Sequence, residues 1–208
     1  MSALAAVGFL VAVLPLVLTP GASFTLTTQH TLTGQPRAAG WVIGGTATGI
    51  YLHAVLAAAG LSAIVMSSAV AFTVVKMVGG CYLIALGAWM IWTTRGPRRP
   101  APEPSHNPAP AEKRGLYVQA FLANVLNPKA AAVYLTLAPQ FLTAAQVSIW
   151  PMLIMASIHV AMMSLWLGIW AGALARSKRL VKSPRFGTYI NRIGGAVLIV
   201  LGARTVAA

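Results

Sequence analysis

The sequence predicts an all-α integral membrane protein whose six transmembrane helices form two inverted three-helix repeats. The first observation behind this prediction is the composition, which is 58% hydrophobic and only 8% charged. The second is a series of six apolar segments, and the third is a set of features in the first three segments that recurs in the last three. Because each half would have an odd number of spans, the second half would enter the membrane in the opposite direction, which makes the repeat inverted.

The composition and charge limit the class of protein. A soluble domain carries about 25% charged residues, so a chain this apolar cannot cover a surface that faces water. The net charge is +13, from 15 Lys and Arg against 2 acids. Nucleic-acid-binding proteins also carry such charge, but here the basic residues lie mainly in loops between apolar segments. That distribution indicates a lipid bilayer with anionic headgroups at the basic loops, and no nucleic acid, as the partner.

Six segments are long enough to span a bilayer, which takes about 20 apolar residues. They cover residues 3–32, 38–65, 70–93, 116–142, 149–173 and 188–207. The first and fourth are long for straight spans and contain Pro20 and Pro128. Proline has no backbone donor and disfavours a helical conformation in the preceding residue, so we expect a broken helix at each. The apolar N-terminus lacks the basic start of a signal peptide, and we interpret it as a retained first span.

Residues 94–115 form a linker that is rich in proline and charge and cannot bury a core. It divides one membrane domain into a first half, 1–93, and a second half, 116–208. The linker and the loops after the first and fifth segments are basic, whereas the connections after the second and fourth have no basic residue. Since basic loops remain in the cytoplasm, the linker should be cytoplasmic and both termini should lie outside.

An internal repeat supports the division into halves. Residues 79–88 align with residues 194–203 at seven identical positions of ten, and Pro20 aligns with Pro128 at a similar offset. The alternative is chance similarity between glycine-rich apolar helices. In transporters built from inverted repeats, paired helix breaks at matching positions lie at the binding site between the repeats.

The two breaks are therefore the best candidates for a functional site. The N-terminus of a half-helix presents unpaired N–H groups that suit a carboxylate, and opposite helix ends present carbonyls that suit an ammonium group. Lys129 adds a positive charge, which is costly at membrane depth and marks a functional residue. The alternative is that the prolines only kink the spans while the lysine side chain reaches the interface. The candidate substrate-binding residues are Thr19, Pro20, Gly21 and Ser23 at the first break, and Asn124, Asn127, Pro128 and Lys129 at the second.

The second break also carries a family motif. Asn-Pro-Lys-Ala-Ala at residues 127–131, with Pro-Gln-Phe at 139–141, closely resembles the second signature of the LysE/RhtB amino-acid exporters. Leu-Thr-Pro-Gly at residues 18–21, followed by the glycine-rich stretch 40–60, is similar to the first signature. The resemblance covers nearly the whole chain outside the linker.

This resemblance implies a function and a location. The chain should be a multi-pass protein of the bacterial inner membrane that exports a small amino acid or a close derivative from the cytoplasm. Gln140, within the second signature, joins the candidate substrate-binding residues.

Two histidines are candidates for proton coupling. His53 and His159 lie near the middles of the second and fifth segments, at roughly equivalent places in the two halves. A histidine can change its charge near neutral pH, and no Asp or Glu lies in any segment. For either histidine alone, the alternative is a neutral ring bonded to a carbonyl. The chain has no G-x-x-x-x-G-K-[ST] nucleotide-binding loop, which favours proton antiport as the energy source.

The lack of acids also bears on the substrate. A lysine or arginine substrate would bring a second positive charge to a site without carboxylates, so we expect a neutral one, such as threonine, homoserine or leucine. Three other classes remain alternatives: a membrane thiol or redox carrier, although Cys81 is the single cysteine; a metal-ion exporter, although the spans lack carboxylate and thiolate ligands; and a membrane enzyme. We predict no catalytic residues, no cofactor and no metal, and a homo-oligomer is left open.

Overall fold

The fold is helical throughout the residues that the structure, a computed structural model, describes: 1–32, 34–93, 113–176 and 184–207. Most of the predicted linker and the predicted basic loop at 177–183 lie outside these residues. The α-helices are α1 (Ala3–Leu18), α2 (Ala22–Leu32), α3 (Ala38–Ser67), α4 (Ala69–Trp92), α5 (Lys113–Val125), α6 (Pro128–Ala132), α7 (Ile149–Arg176) and α8 (Pro184–Val206).

The first predicted break lies between α1 and α2, whose axes are bent by 50° relative to each other. Thr19 leaves the helical conformation with φ −68° and ψ 126°, as expected for a residue that precedes a proline. Its side-chain hydroxyl donates to the carbonyl of Pro15 at 2.7 Å, and its backbone N–H donates to the same oxygen at 3.0 Å. The end of α1 is thus closed by Thr19 just before Pro20.

The second predicted break lies between α5 and α6, and the irregularity extends further than the proline alone predicts. Asn127 is extended, and its side chain accepts a hydrogen bond from the backbone N–H of Lys129 at 2.9 Å, which caps α6. After the five residues of α6, the chain continues as a π-helical turn, Val133–Leu137, and a 3₁₀ turn, Ala138–Phe141. π-helical turns are rare and are found most often at functional sites.

Within the described residues, three helical stretches are long and apolar enough to cross a bilayer by themselves: Ala38–Ile64, Thr73–Trp92 and Ile149–Arg176. The bent pair α1 and α2 makes a fourth if it is one span. The fourth predicted segment is divided by its break, and the apolar part of α8 is the shorter stretch Gly195–Val206. The six-span arrangement therefore remains a prediction.

The core lies where the broken segments meet α3 and α7. α3 packs against both α5 and α7, and the fully buried side chains Phe9, Ile50, Tyr134 and Met152 bring these elements into one cluster. This packing places both breaks next to the middles of α3 and α7, the helices that carry His53 and His159.

The two copies of the repeated glycine motif pack against each other, because α4 lies along α8. Gly80 faces Gly202, and Gly87 faces Gly195, so the two helices run antiparallel. A Cβ atom on Gly87 would fall onto the carbonyl oxygen of Gly195, and one on Gly202 would fall onto that of Gly80. Small residues at these four positions allow the backbones to touch, which is a common basis of helix association in membranes.

We predict that Gly87→Ala and Gly202→Ala each destabilise the protein by about 1–3 kcal/mol, because the added methyl group meets backbone that cannot move aside. Thermal unfolding in detergent measures the effect. Gly168→Ala in α7 is the matched control, since a Cβ there meets nothing within 4 Å. A Gly87→Ala protein as stable as the Gly168→Ala protein would contradict this close packing.

Candidate functional site

The first proline leaves one carbonyl without its helical donor, and a lysine from the second break satisfies it. Pro20 has no N–H, so the carbonyl of Leu16, four residues earlier, cannot receive the usual helical hydrogen bond. The Lys129 ammonium donates to this oxygen, with an Nζ–O distance of 3.2 Å. Lys129 therefore joins the two breaks directly, although 113 residues separate it from Leu16.

The second proline also leaves one carbonyl without its helical donor. Pro128 cannot donate to the carbonyl of Asn124, four residues earlier. That oxygen instead accepts from the backbone N–H of Asn127 at 3.0 Å and lies 3.3 Å from Nε2 of His53. Because a carbonyl can only accept, Nε2 is the protonated nitrogen in this contact. Each freed carbonyl is thus met by a side chain that can carry a positive charge.

The Asn124 side chain packs against α3 at Gly49. A Cβ atom on Gly49 would lie 2.6 Å from Asn124 Oδ1, so only glycine leaves room for this amide. Asn124 is buried, and among the described residues its Oδ1 has no hydrogen-bond partner. A buried acceptor without a partner costs about 1–3 kcal/mol, so the packing of this amide against Gly49 carries an energetic cost.

The rings of His53, Tyr134 and His159 form a stack. The ring of Tyr134 is parallel to that of His53 at a centroid distance of 6.5 Å and to that of His159 at 6.0 Å. Its hydroxyl lies 3.0 Å from Nδ1 of His159 and both residues are buried. The two candidate histidines therefore share Tyr134 as a neighbour.

Sequence reasoning missed Tyr134. A signal was available, because a tyrosine in the middle of a broken apolar span needs a partner for its hydroxyl. It also follows Pro128 by six residues, within the most strongly marked segment.

The remaining residues of the first break face α3. Ser23 and Thr46 share a hydrogen bond at 2.8 Å, which ties the start of α2 to α3. A Cβ atom on Gly21 would lie 4.0 Å from the carbonyl oxygen of Thr19, an ordinary van der Waals contact. Thr19 is engaged with Pro15, so it closes the end of α1. These residues shape the break, whereas Leu16, which was not a candidate, supplies the oxygen that Lys129 binds.

Gln140 does not join this cluster. Its Nε2 donates to the carbonyl of Thr136 at 2.9 Å and that of Lys76 at 3.3 Å, and its Oε1 accepts from the hydroxyl of Thr205 at 2.6 Å. These bonds connect the 3₁₀ turn to α4 and α8. The geometry gives Gln140 a role at that junction, separate from the two breaks.

The arrangement has the chemistry to hold a zwitterion. The Lys129 cation lies at the breaks with backbone and amide oxygens. Both acids of the chain are distant in sequence, in the linker. Within the part of the chain that the structure describes, no group of three or more His, Cys, Asp or Glu could hold a metal ion. The oxygens suit an ammonium group and Lys129 suits a carboxylate.

Comparisons with known proteins agree on one family. The model of the family described as LysE type translocator matches residues 14–208. The chain is 31% identical over 195 residues to the uncharacterized membrane protein YrhP of Bacillus subtilis, covering 91% of this chain and 92% of that protein. It is 28% identical over 189 residues to the homoserine/homoserine lactone efflux protein of Salmonella typhi, covering 90% and 89%. No solved structure gives a significant match.

We predict that Tyr134→Phe lowers stability by about 1–2 kcal/mol, because it removes the partner of a buried histidine nitrogen while leaving the ring stack in place. Tyr51→Phe is the matched control: it makes the same chemical change at an exposed hydrogen bond, to Ser157 at 3.0 Å. Thermal unfolding of both variants in the same detergent compares them. Equal stability of the two variants would show that the Tyr134–His159 bond contributes no more than the exposed Tyr51–Ser157 bond.

Proposed function

The chain belongs to the LysE type translocator family, and from that premise we propose that it exports a small neutral amino acid, or a close derivative, from the cytoplasm by proton antiport. Relatives named homoserine/homoserine lactone efflux proteins support an amino-acid exporter at the level of the family. The finer parts of the proposal, the neutral substrate, the site residues and the proton, rest on the chemistry around the two breaks.

The observation that carries the proposal is the hydrogen bond from Lys129 to the carbonyl of Leu16. A carboxylate is a stronger acceptor for an ammonium group than a neutral carbonyl is. A substrate carboxylate therefore replaces Leu16 as the partner of Lys129. The Leu16 oxygen is then free to accept from the substrate ammonium, so the zwitterion inserts between the two groups and satisfies both.

Insertion at this point gives the substrate a means to change the conformation. Leu16 belongs to the first half of the chain and Lys129 to the second, so the bond between them holds the two breaks together. A ligand can shift a conformational equilibrium only through a difference in its affinity for the two states. A substrate that replaces this bond binds more tightly to the state in which the breaks are separated. This difference in affinity shifts the equilibrium towards that state.

The proton is carried in this proposal by His53 and His159. His53 donates to the freed carbonyl of Asn124, and His159 is bonded to Tyr134. Protonation of His159 would add a second positive charge to the site that contains Lys129. A protonated His159 and a charged Lys129 would therefore disfavour each other. We therefore assign the coupling to competition between a proton on the histidines and the charge at Lys129.

We also propose that residues 1–93 and 116–208 are inverted halves with six spans in all, joined by the linker 94–115 and with both termini outside. The antiparallel contact of α4 with α8 supports this. The repeat makes Gly80 equivalent to Gly195 and Gly87 equivalent to Gly202, so the contact of Gly80 with Gly202 maps onto that of Gly195 with Gly87. Such an exchange is what a two-fold axis in the membrane plane produces.

We predict that Lys129→Ala abolishes useful export while the protein stays in the membrane. Loss of a charged hydrogen bond costs about 1.5–3 kcal/mol, which lowers affinity for the carboxylate roughly 10- to 100-fold. Uptake of labelled substrate into inverted vesicles measures the effect. Lys129→Arg keeps the charge and should retain part of the activity, and Arg176→Ala, which removes an exposed cation at the end of α7, should leave it unchanged. Normal export by a well-expressed Lys129→Ala protein would exclude this role.

We predict that cells loaded with leucine, threonine and lysine together lose the neutral amino acids first. Carbonyls at the break can bind one ammonium group, but a second meets hydroxyls, amides and the like charge of Lys129. The measurement is the protein-dependent efflux of each amino acid, with Lys129→Ala cells as the background. Preferential loss of lysine would contradict the neutral assignment, and recovery of chemically altered amino acids would indicate an enzyme.

A further inference from the structure

A hydrogen bond between residues at matching places of the two halves joins α3 to α7. Tyr51 precedes His53 by two residues, and Ser157 precedes His159 by two. The Ser157 hydroxyl donates to the carbonyl of Leu153 at 2.8 Å, so the tyrosine is the donor in the 3.0 Å contact between Tyr51 and Ser157. In an inverted repeat, a contact between equivalent residues lies on the two-fold axis.

The contact between α4 and α8 has a centre of the same kind. Midway along the paired glycines lie Leu83 and Leu198, which hold equivalent positions in the repeated motif. Both leucines are fully buried. Two separate pairs of antiparallel helices thus have equivalent residues at the centre of their contact.

A second contact between the α3 and α7 regions lies away from this centre. The Ser62 hydroxyl donates to the backbone carbonyl of Val147, just before α7, at 3.3 Å. Ser62 lies eleven residues after Tyr51. Val147 lies ten residues before Ser157, so the two segments run antiparallel through the central contact.

The corresponding contact at the other end of α3 is open. By the same spacing, the counterparts of Ser62 and Val147 are Gly168 in α7 and Trp41 in α3. A Cβ atom on Gly168 would meet nothing within 4 Å among the described residues, and the Trp41 side chain is 43% exposed. Gly168 lies in an open groove of about 640 Å³, and the described residues that line it all belong to α7.

This inequality between the two ends has a physical meaning in an inverted repeat. Transporters of this architecture open to one side and then to the other as one repeat rocks against its partner. When the halves exchange conformations, a contact between equivalent residues maps onto itself and is kept. A contact away from the axis maps onto its counterpart, so one opens as the other closes.

We propose that Tyr51 and Ser157 form the pivot about which α3 and α7 rock during transport. In the alternative state the contact at Ser62 is open, and Trp41 closes into the groove at Gly168. Gly168 suits this role because it has no side chain to oppose the indole. The pivot rests on the inverted repeat and the export that we propose above.

Pairs of cysteines in a Cys81→Ala background, joined by a short bifunctional thiosulfonate reagent, test the pivot. Reduction releases the link, so each protein serves as its own control. Tyr51→Cys with Ser157→Cys should export equally well when linked and when reduced. Ser62→Cys with Val147→Cys should lose export at least roughly 100-fold when linked, because a covalent bond excludes the state in which this end is open. Reduction should restore it.

Trp41→Cys with Gly168→Cys is the complementary pair, and its effect is measured without transport. Linking this pair holds the groove end closed, so the contact at Ser62 should open. Hydrogen–deuterium exchange of residues 143–148 reports that opening. Exchange should rise when this pair is linked and stay unchanged when the pair on the axis is linked.

The outcomes separate the pivot from the proposed function. Equal loss of export in the linked axial pair and in the linked pair at Ser62 would overturn the pivot, and so would full export by the latter. Failure of the Trp41 and Gly168 pair to link, or unchanged exchange once it is linked, would overturn the closure. A reduced protein that moves no amino acid, while exchange responds as expected, would contradict export and leave the pivot standing.

Discussion

The structure depends on the missing N–H of two prolines inside apolar helices. In a bilayer no water is present to satisfy the carbonyls that lose their helical donors, so the protein must supply donors itself. Leu16 and Asn124 are the residues affected, and Lys129 and His53 are the donors that reach them. The polar groups of the candidate site are thus explained first by backbone chemistry. The substrate-binding role that we propose builds on this, because a donor bonded to a carbonyl can exchange it for a better acceptor.

The exchange of partners that we propose requires rigid surroundings. The bond between Lys129 and Leu16 joins the two breaks, and in the proposal its loss changes the conformation only if the helices on each side of it move as a unit. Direct backbone contact of α4 with α8 at the paired glycines makes this helix pair rigid. In α3, Gly49 leaves room for the Asn124 amide to pack against the helix. Close packing of this kind has few intermediate arrangements, which favours two discrete states over a gradual deformation.

Tyr134 gives the two histidines a common neighbour. Its ring is stacked with each of theirs, and its hydroxyl is hydrogen-bonded to His159. The histidines are therefore unequal: His53 faces a backbone carbonyl that always accepts, whereas His159 faces a hydroxyl that can donate or accept. Their hydrogen-bond partners thus differ, although the sequence presents the two residues as equivalent.

The sequence by itself determined the helices and their breaks. Hydropathy predicted the ends of α3, α4 and α7 to within a few residues, because a long apolar helix is specified by its own side chains. The breaks followed from Pro20 and Pro128, because the loss of a backbone donor is a local property of proline. The family motif at residues 127–131 marked Lys129 before any contact was known.

Tertiary structure decided which groups meet. The partner of Lys129 lies 113 residues away, in a carbonyl that no side-chain pattern marks. Gln140 belongs to the same motif as Lys129 yet joins α4 to α8, because the π-helical and 3₁₀ turns between them change the direction in which side chains face. A hydrogen bond lost at a proline can be located from the sequence, but the donor that replaces it is chosen by how the helices pack.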